Sequence, residues 1–115
     1  MSLNVFPAFA VPMAERFHPE PAALNAELMQ VILALEAQGA GYRNPDPVVH
    51  QPDGLFESEF DFFAREEACV QELRGWVWGS LGEFLRNINP DMAEGTRGLR
   101  IASQTWFHLT RDGGY

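Results

Sequence analysis

Three histidines, one cysteine and two close pairs of carboxylates are the side chains with which this 115-residue chain could do chemistry. Imidazole is the usual metal ligand and proton carrier near neutral pH, so the histidines weigh most. His18 stands before Pro19 in the lead-in to a helical pattern and reads as a solvated loop residue. His50 lies among Asp46, Pro52 and Asp53, a set that turn chemistry accounts for without a metal. His108 shares one side of a strand pattern with Trp106 and Gln104. Where that side lines a cavity, His108 is placed to give a hydrogen bond to an anionic ligand. Glu57 with Glu59, and Glu66 with Glu67, fall where a helix start or a solvated face explains them better than acid–base catalysis does. Cys69 sits between Ala68 and Val70 and reads as a small buried apolar residue; alone, it cannot form a disulfide within the chain. The sequence contains no H-E-x-x-H, G-x-S-x-G, Walker or G-x-G-x-x-G pattern, so no catalytic residue and no metal ligand is assigned from local motifs.

The elements that would position these groups follow from periodicity. Residues 99–110 alternate, with Leu99, Ile101, Ser103, Thr105, Phe107 and Leu109 on one side and Arg100, Ala102, Gln104, Trp106, His108 and Thr110 on the other. This predicts a strand. Arg111, Asp112, Gly113 and Gly114 then supply turn chemistry, with glycine free to take positive φ. A hairpin needs a second strand after its turn, and none remains before Tyr115, so the hydrogen-bond partners of this strand are expected beyond Tyr115. An unpaired edge carrying Phe107 and Leu109 would invite aggregation.

Upstream, residues 4–11 are apolar and punctuated by Pro7 and Pro12, which confines them to an extended arm or an edge strand expected to pair with the same sheet. Leu24, Leu28, Ile32 and Leu35 recur at helical spacing, and that helix is expected to stop at Gly39-Ala40-Gly41. Residues 42–54, with three prolines, read as a surface loop. In residues 55–63 phenylalanines interleave with acids, which suit the start of a helix because carboxylates complement its positive end. A longer helix is predicted over residues 65–89, its apolar row formed by Val70, Leu73, Val77, Leu81, Phe84 and Ile88. Gly75, Gly79 and Gly82 fall on one side of it, where they either admit another backbone or make room for Trp76 and Trp78. A loop over residues 91–98 completes an α+β layout in one domain, with two helices over one face of an antiparallel sheet.

Composition bounds the function classes. At 46% apolar and 21% charged the chain is an ordinary globular one and not a disordered tail. Its net charge of -8 repels phosphate backbones and anionic headgroups, which argues against nucleic acid as a partner. No run is long and apolar enough to cross a bilayer and no secretory pattern opens the chain, so the expectation is a cytoplasmic protein with no membrane partner.

The order of Phe6-Pro7 near the start, Leu24-Asn25-Ala26-Glu27-Leu28 opening the first helix, a long second helix, and a strand with Trp106 followed by Gly113-Gly114-Tyr115 resembles the N-terminal half of a family of 2-oxoglutarate and iron(II) dependent oxygenases. In that family a Gly-rich turn precedes a His-x-His-Pro motif that begins the metal site, and this sequence reaches the threshold of that motif. The resemblance implies a jelly roll (double-stranded β-helix), incomplete in these residues, with residues 1–115 as its helical and first-strand portion. It implies Fe(II) and 2-oxoglutarate as cofactors of the whole protein, held by two histidines and a third ligand beyond residue 115. It also implies hydroxylation of a small-molecule or protein substrate, with no turnover by this segment alone. By position Trp106 and Tyr115 match family residues and His108 falls where the family commonly has asparagine, so these three are the pocket-lining candidates for cofactor binding. A reading of a different class is a small non-catalytic binding module that forms a homodimer through its exposed terminal strand. A non-catalytic jelly roll of the cupin type is a third.

Overall fold

Leu24, Leu28 and Leu35 are the buried residues of the first helix, and their spacing explains why it forms where it does. Helix α1 spans Pro21–Ala37, with a proline at its first turn, where the fixed φ suits a helix and the missing N–H costs no intrahelical bond. Val31 and Ile32 flank the buried leucines and pack against the same core. The chain leaves α1 through a short 3-10 turn, Gly39–Gly41, in which Gly39 takes φ +57°, a conformation that favours glycine over any residue with a Cβ. The structure, a computed structural model, describes residues 2–6, 8–47, 54–91 and 100–113.

Two of the expected elements fold differently. Residues 55–63 do not begin a helix: strand β1 spans Leu55–Glu57, and a 3-10 turn spans Phe62–Ala64. The reason is a period-two pattern, with Phe56, Ser58, Phe60 and Phe62 on one parity and Glu57, Glu59 and Asp61 on the other. Phe56 and Phe62 turn inward while the acids stay at the rim, which suits aromatic residues on a pleated surface. Residues 42–54 were expected to be surface loop, yet Tyr42 is buried and Arg43 bridges Ser58 in antiparallel fashion. Backbone bonds from Asn44 N–H to Glu57 O and from Glu59 N–H to Tyr42 O, each 2.9 Å, line this segment along one edge of β1.

The other edge of β1 takes the closing strand. β2, His108–Thr110, pairs antiparallel with β1 in the register Leu55 with Thr110, Phe56 with Leu109 and Glu57 with His108. The expectation that this strand finds no partner among these residues is therefore overturned. Regular strand is also shorter than the alternation suggested: Thr105 forms a separate bridge to Asp61, residues 100–104 are not strand, and Leu99 lies outside the described residues. The partner was concealed because its phenylalanines and acids imitate a helix start. Ser58, wholly buried, fastens the junction: its hydroxyl accepts the Phe107 N–H at 3.0 Å and donates to the Glu59 carbonyl at 2.8 Å. After β2, Asp112 and Gly113 form a turn with Gly113 at φ +86°, while Gly114 lies outside the described residues.

Helix α2, Ala68–Ile88, matches the expected 65–89 closely. Only Cys69 and Val70 of α2 are buried, against α1, Tyr42 and Phe62; the C-terminal half of the helix keeps its apolar row half-covered. Gly75 and Gly79 are exposed and Gly82 is half-buried. A Cβ built on Gly75 or Gly79 would meet nothing within 4 Å, and one on Gly82 only the Arg86 guanidinium at 3.3 Å, so they neither admit a second backbone nor make room for tryptophan among the described residues.

The N-terminal arm does not pair with the sheet. Its base runs along α2 instead: Arg16 ion-pairs with Glu83 and donates to the Ser80 hydroxyl at 3.2 Å, and His18 meets the Trp76 ring edge-on at 5.6 Å. Leu3, Val5, Phe6, Phe9, Val11, Met13 and Phe17 stay exposed. A radius of gyration of 19.2 Å, against the roughly 13 Å of a compact chain of this length, reflects an elongated molecule, 66 Å in its longest dimension. The described body is thus mixed α+β: two helices, a two-stranded antiparallel sheet, and a core of Leu24, Leu28, Leu35, Tyr42, Phe62, Cys69 and Val70.

Candidate functional site

His108 and Trp106 occupy the outward side of the closing segment, as the alternation predicted, but they point to different partners. His108 Nε2 lies 2.8 Å from Glu57 Oε2, directly across the strand pair, and Asn44 Nδ2 donates to Glu57 Oε1 at 2.8 Å. The imidazole is thereby engaged in a cross-strand cluster. Trp106, half exposed, packs on Phe60 with ring centroids 4.9 Å apart. Tyr115, the third pocket-lining candidate, lies outside the described residues, as does His50.

The Asn44 amide and then His108 hold the Glu57 carboxyl below its ordinary value of 4.5. Glu36 beside Arg111, Glu67 beside Arg65 and Glu83 beside Arg16 are lowered too, each chiefly by a hydrogen bond from a guanidinium. A carboxylate whose folded pKa is depressed contributes stability above its unfolded pKa and loses it as pH falls through the folded one. The urea midpoint should therefore hold steady between about pH 6 and 8 and fall as the solution is acidified below about pH 4.5. Glu57→Gln should flatten part of that fall; an unchanged acid limb in that variant would remove Glu57 from the account.

Beneath the sheet runs a second polar chain. The Tyr42 hydroxyl donates to Asp61 Oδ1 at 2.9 Å, and the Arg65 guanidinium sits 5.0 Å over the Tyr42 ring while binding both Glu67 oxygens, its Nε at 2.9 and 3.0 Å. Burial first and the Asp61 bond second push the Tyr42 hydroxyl up to about 12, so it remains a neutral donor at any physiological pH. Burial likewise pushes the Cys69 thiol up, which fits an inert core residue. His18 corrects its sequence reading: only 11% of its side chain is exposed, with Nε2 3.4 Å from Glu72 and the ring against Trp76, so it is a packed residue and not a solvated one.

Sequence reasoning missed Asn44, Glu57 and Phe60 as the companions of the strand residues. Their signal was present in the register, since a strand over residues 55–60 aligned with residues 105–110 brings Glu57 opposite His108. Among the described residues no cluster of three or more His, Cys, Asp or Glu side chains could hold a metal ion, and no helix is long and apolar enough to cross a membrane. No protein family, curated protein or solved structure matches the chain.

Proposed function

We propose that this chain is the helical and first-strand portion of an iron(II) and 2-oxoglutarate dependent dioxygenase whose sheet is completed, as a jelly roll, by polypeptide beyond residue 115. The residues that resemble that family support the reading, together with the mixed α+β layout. The observation that carries it is the state of β2. Phe107 and Arg111 direct their backbone groups toward the β1 segment, through Ser58 N–H to Phe107 O at 3.1 Å and Arg111 N–H to Gly54 O at 2.6 Å. By antiparallel alternation Trp106, His108 and Thr110, on the other parity, turn theirs to the opposite edge, which has no strand on it among the described residues. A turn containing a positive-φ glycine follows at once, the chemistry with which a hairpin reverses.

The iron centre itself finds no fit in these residues: the nearest His–carboxylate pair, His108 with Glu57, is closed on itself and lacks a third ligand. No reaction step is assigned to this chain. Its own contribution in this reading is to anchor the first strands through the aromatic core and to present Trp106 at the open edge.

Extending the reading frame past residue 115 should reveal a His-x-His or His-x-Asp pair within the next several residues, and the extended protein should release succinate when given Fe(II) and 2-oxoglutarate. Absence of that pair overturns the reading. The same open edge favours a second reading, a non-catalytic module that dimerises through β2. Sedimentation of the 115-residue chain as a stable monomer would dismiss it.

A further inference from the structure

A cleft of about 510 Å³ opens between the middle turns of α2, the Phe62–Ala64 turn and the segment that leads into Thr105. Its volume lies within the range of small-ligand pockets. Three aromatic rings form its walls. Phe63 and Trp78 meet edge-on at 6.4 Å, and Phe60 is held from behind by Trp106. Two opposite charges, Arg74 and Asp61, share the same cleft without forming an ion pair with each other. Each is fixed by a single neutral partner: Arg74 Nη1 donates to the Phe63 carbonyl at 2.8 Å, and Asp61 Oδ1 accepts from the Tyr42 hydroxyl. The guanidinium keeps further donors, and the carboxylate a further oxygen, that these two bonds do not use.

We propose that this cleft binds an aromatic α-amino acid in its zwitterionic form, with the ring against Phe60, Phe63 and Trp78, the carboxylate on Arg74 and the ammonium on Asp61. A plain anion would meet the Asp61 carboxylate in a chain already at net charge -8, and a plain amine would meet Arg74. A ligand carrying both charges has a counterpart for each, with the Arg–carboxylate contact the stronger because guanidinium offers paired donors. Flat hydrophobic walls select a ring over an aliphatic side chain. Every residue involved belongs to this chain, so the site stands or falls separately from the oxygenase reading.

The test is calorimetric titration of the 115-residue chain with L-phenylalanine, repeated with phenethylamine, 3-phenylpropionate and L-alanine. Saturable binding of L-phenylalanine with a Kd on the order of 1 mM is expected, with each of the other three weaker by about tenfold or more. Asp61→Asn, which keeps an acceptor for Tyr42, should abolish the preference for L-phenylalanine over 3-phenylpropionate. Arg74→Gln should lose both acids, its helical circular dichroism showing whether the fold is kept. No saturation by 20 mM, on the order of twenty times that Kd, overturns the proposal. So does equal binding of phenethylamine and L-phenylalanine, or an Asp61→Asn variant with its preference intact.

Discussion

Replacing Leu35 with alanine should lower the unfolding free energy by ~2–5 kcal/mol, the usual range for a core leucine whose cavity is only partly refilled. Leu35 is 2% exposed, on the last full turn of α1, in the cluster that also contains Tyr42, Phe62 and Val70. A small domain holds only about 5–15 kcal/mol in total, so the variant should be near the edge of stability at room temperature. The described core has few large side chains with which to collapse into the gap. Urea unfolding followed by tryptophan emission would read the shift directly, and a loss under about 1 kcal/mol would mean that this core is not the principal one.

Phe107→Ala should cost a comparable ~3–5 kcal/mol although the residue is only partly buried. The ring is where the sheet meets the helices: it stacks on Phe56 at 5.9 Å and on Tyr42 at 6.3 Å, and takes Phe62 edge-on at 5.3 Å. Offset and edge-to-face aromatic pairs of this kind add roughly 0.5–1.5 kcal/mol beyond their buried area. The loss should also be local in its kinetics. Amides of Phe107 and Arg111, which bond across to Ser58 and Gly54, should exchange with solvent faster by more than those of α1. Equal acceleration everywhere would show that Phe107 supports the fold as a whole and not the attachment of β2.

How far the sequence spoke depends on how local the determinant is. Both helices were legible to within a few residues, because Leu24, Leu28 and Leu35, or Val70 and Leu73, repeat at the helical period and Gly39 and Asn89 mark the ends. The mixed α+β class was legible for the same reason. β1 was not. The stretch around Phe56 admits both a helix start and an alternating strand, and what decides is Phe107, 51 residues away, stacking on Phe56. The lie of the arm was equally hidden, since nothing near Arg16 announces that Glu83 will hold it. At the site, Trp106 and His108 were found on one strand face, but the Asn44–Glu57–His108 cluster needed a register that only the paired strands supply. The Arg74 and Asp61 cleft joins segments with no sequence pattern in common.

The pairing of β1 with β2 spans the whole of α2, and Arg111 further ties the turn after β2 to Glu36 at the end of α1, across 75 positions. During synthesis both helices can emerge and dock while Phe56 still has no lid. Closing a loop of that length carries an entropic cost that grows only slowly with its size, yet it comes before any cross-strand contact repays it. The ribosome must therefore release residue 111 before the aromatic interior is sealed, and until then Phe56 lacks the Phe107 ring that stacks on it.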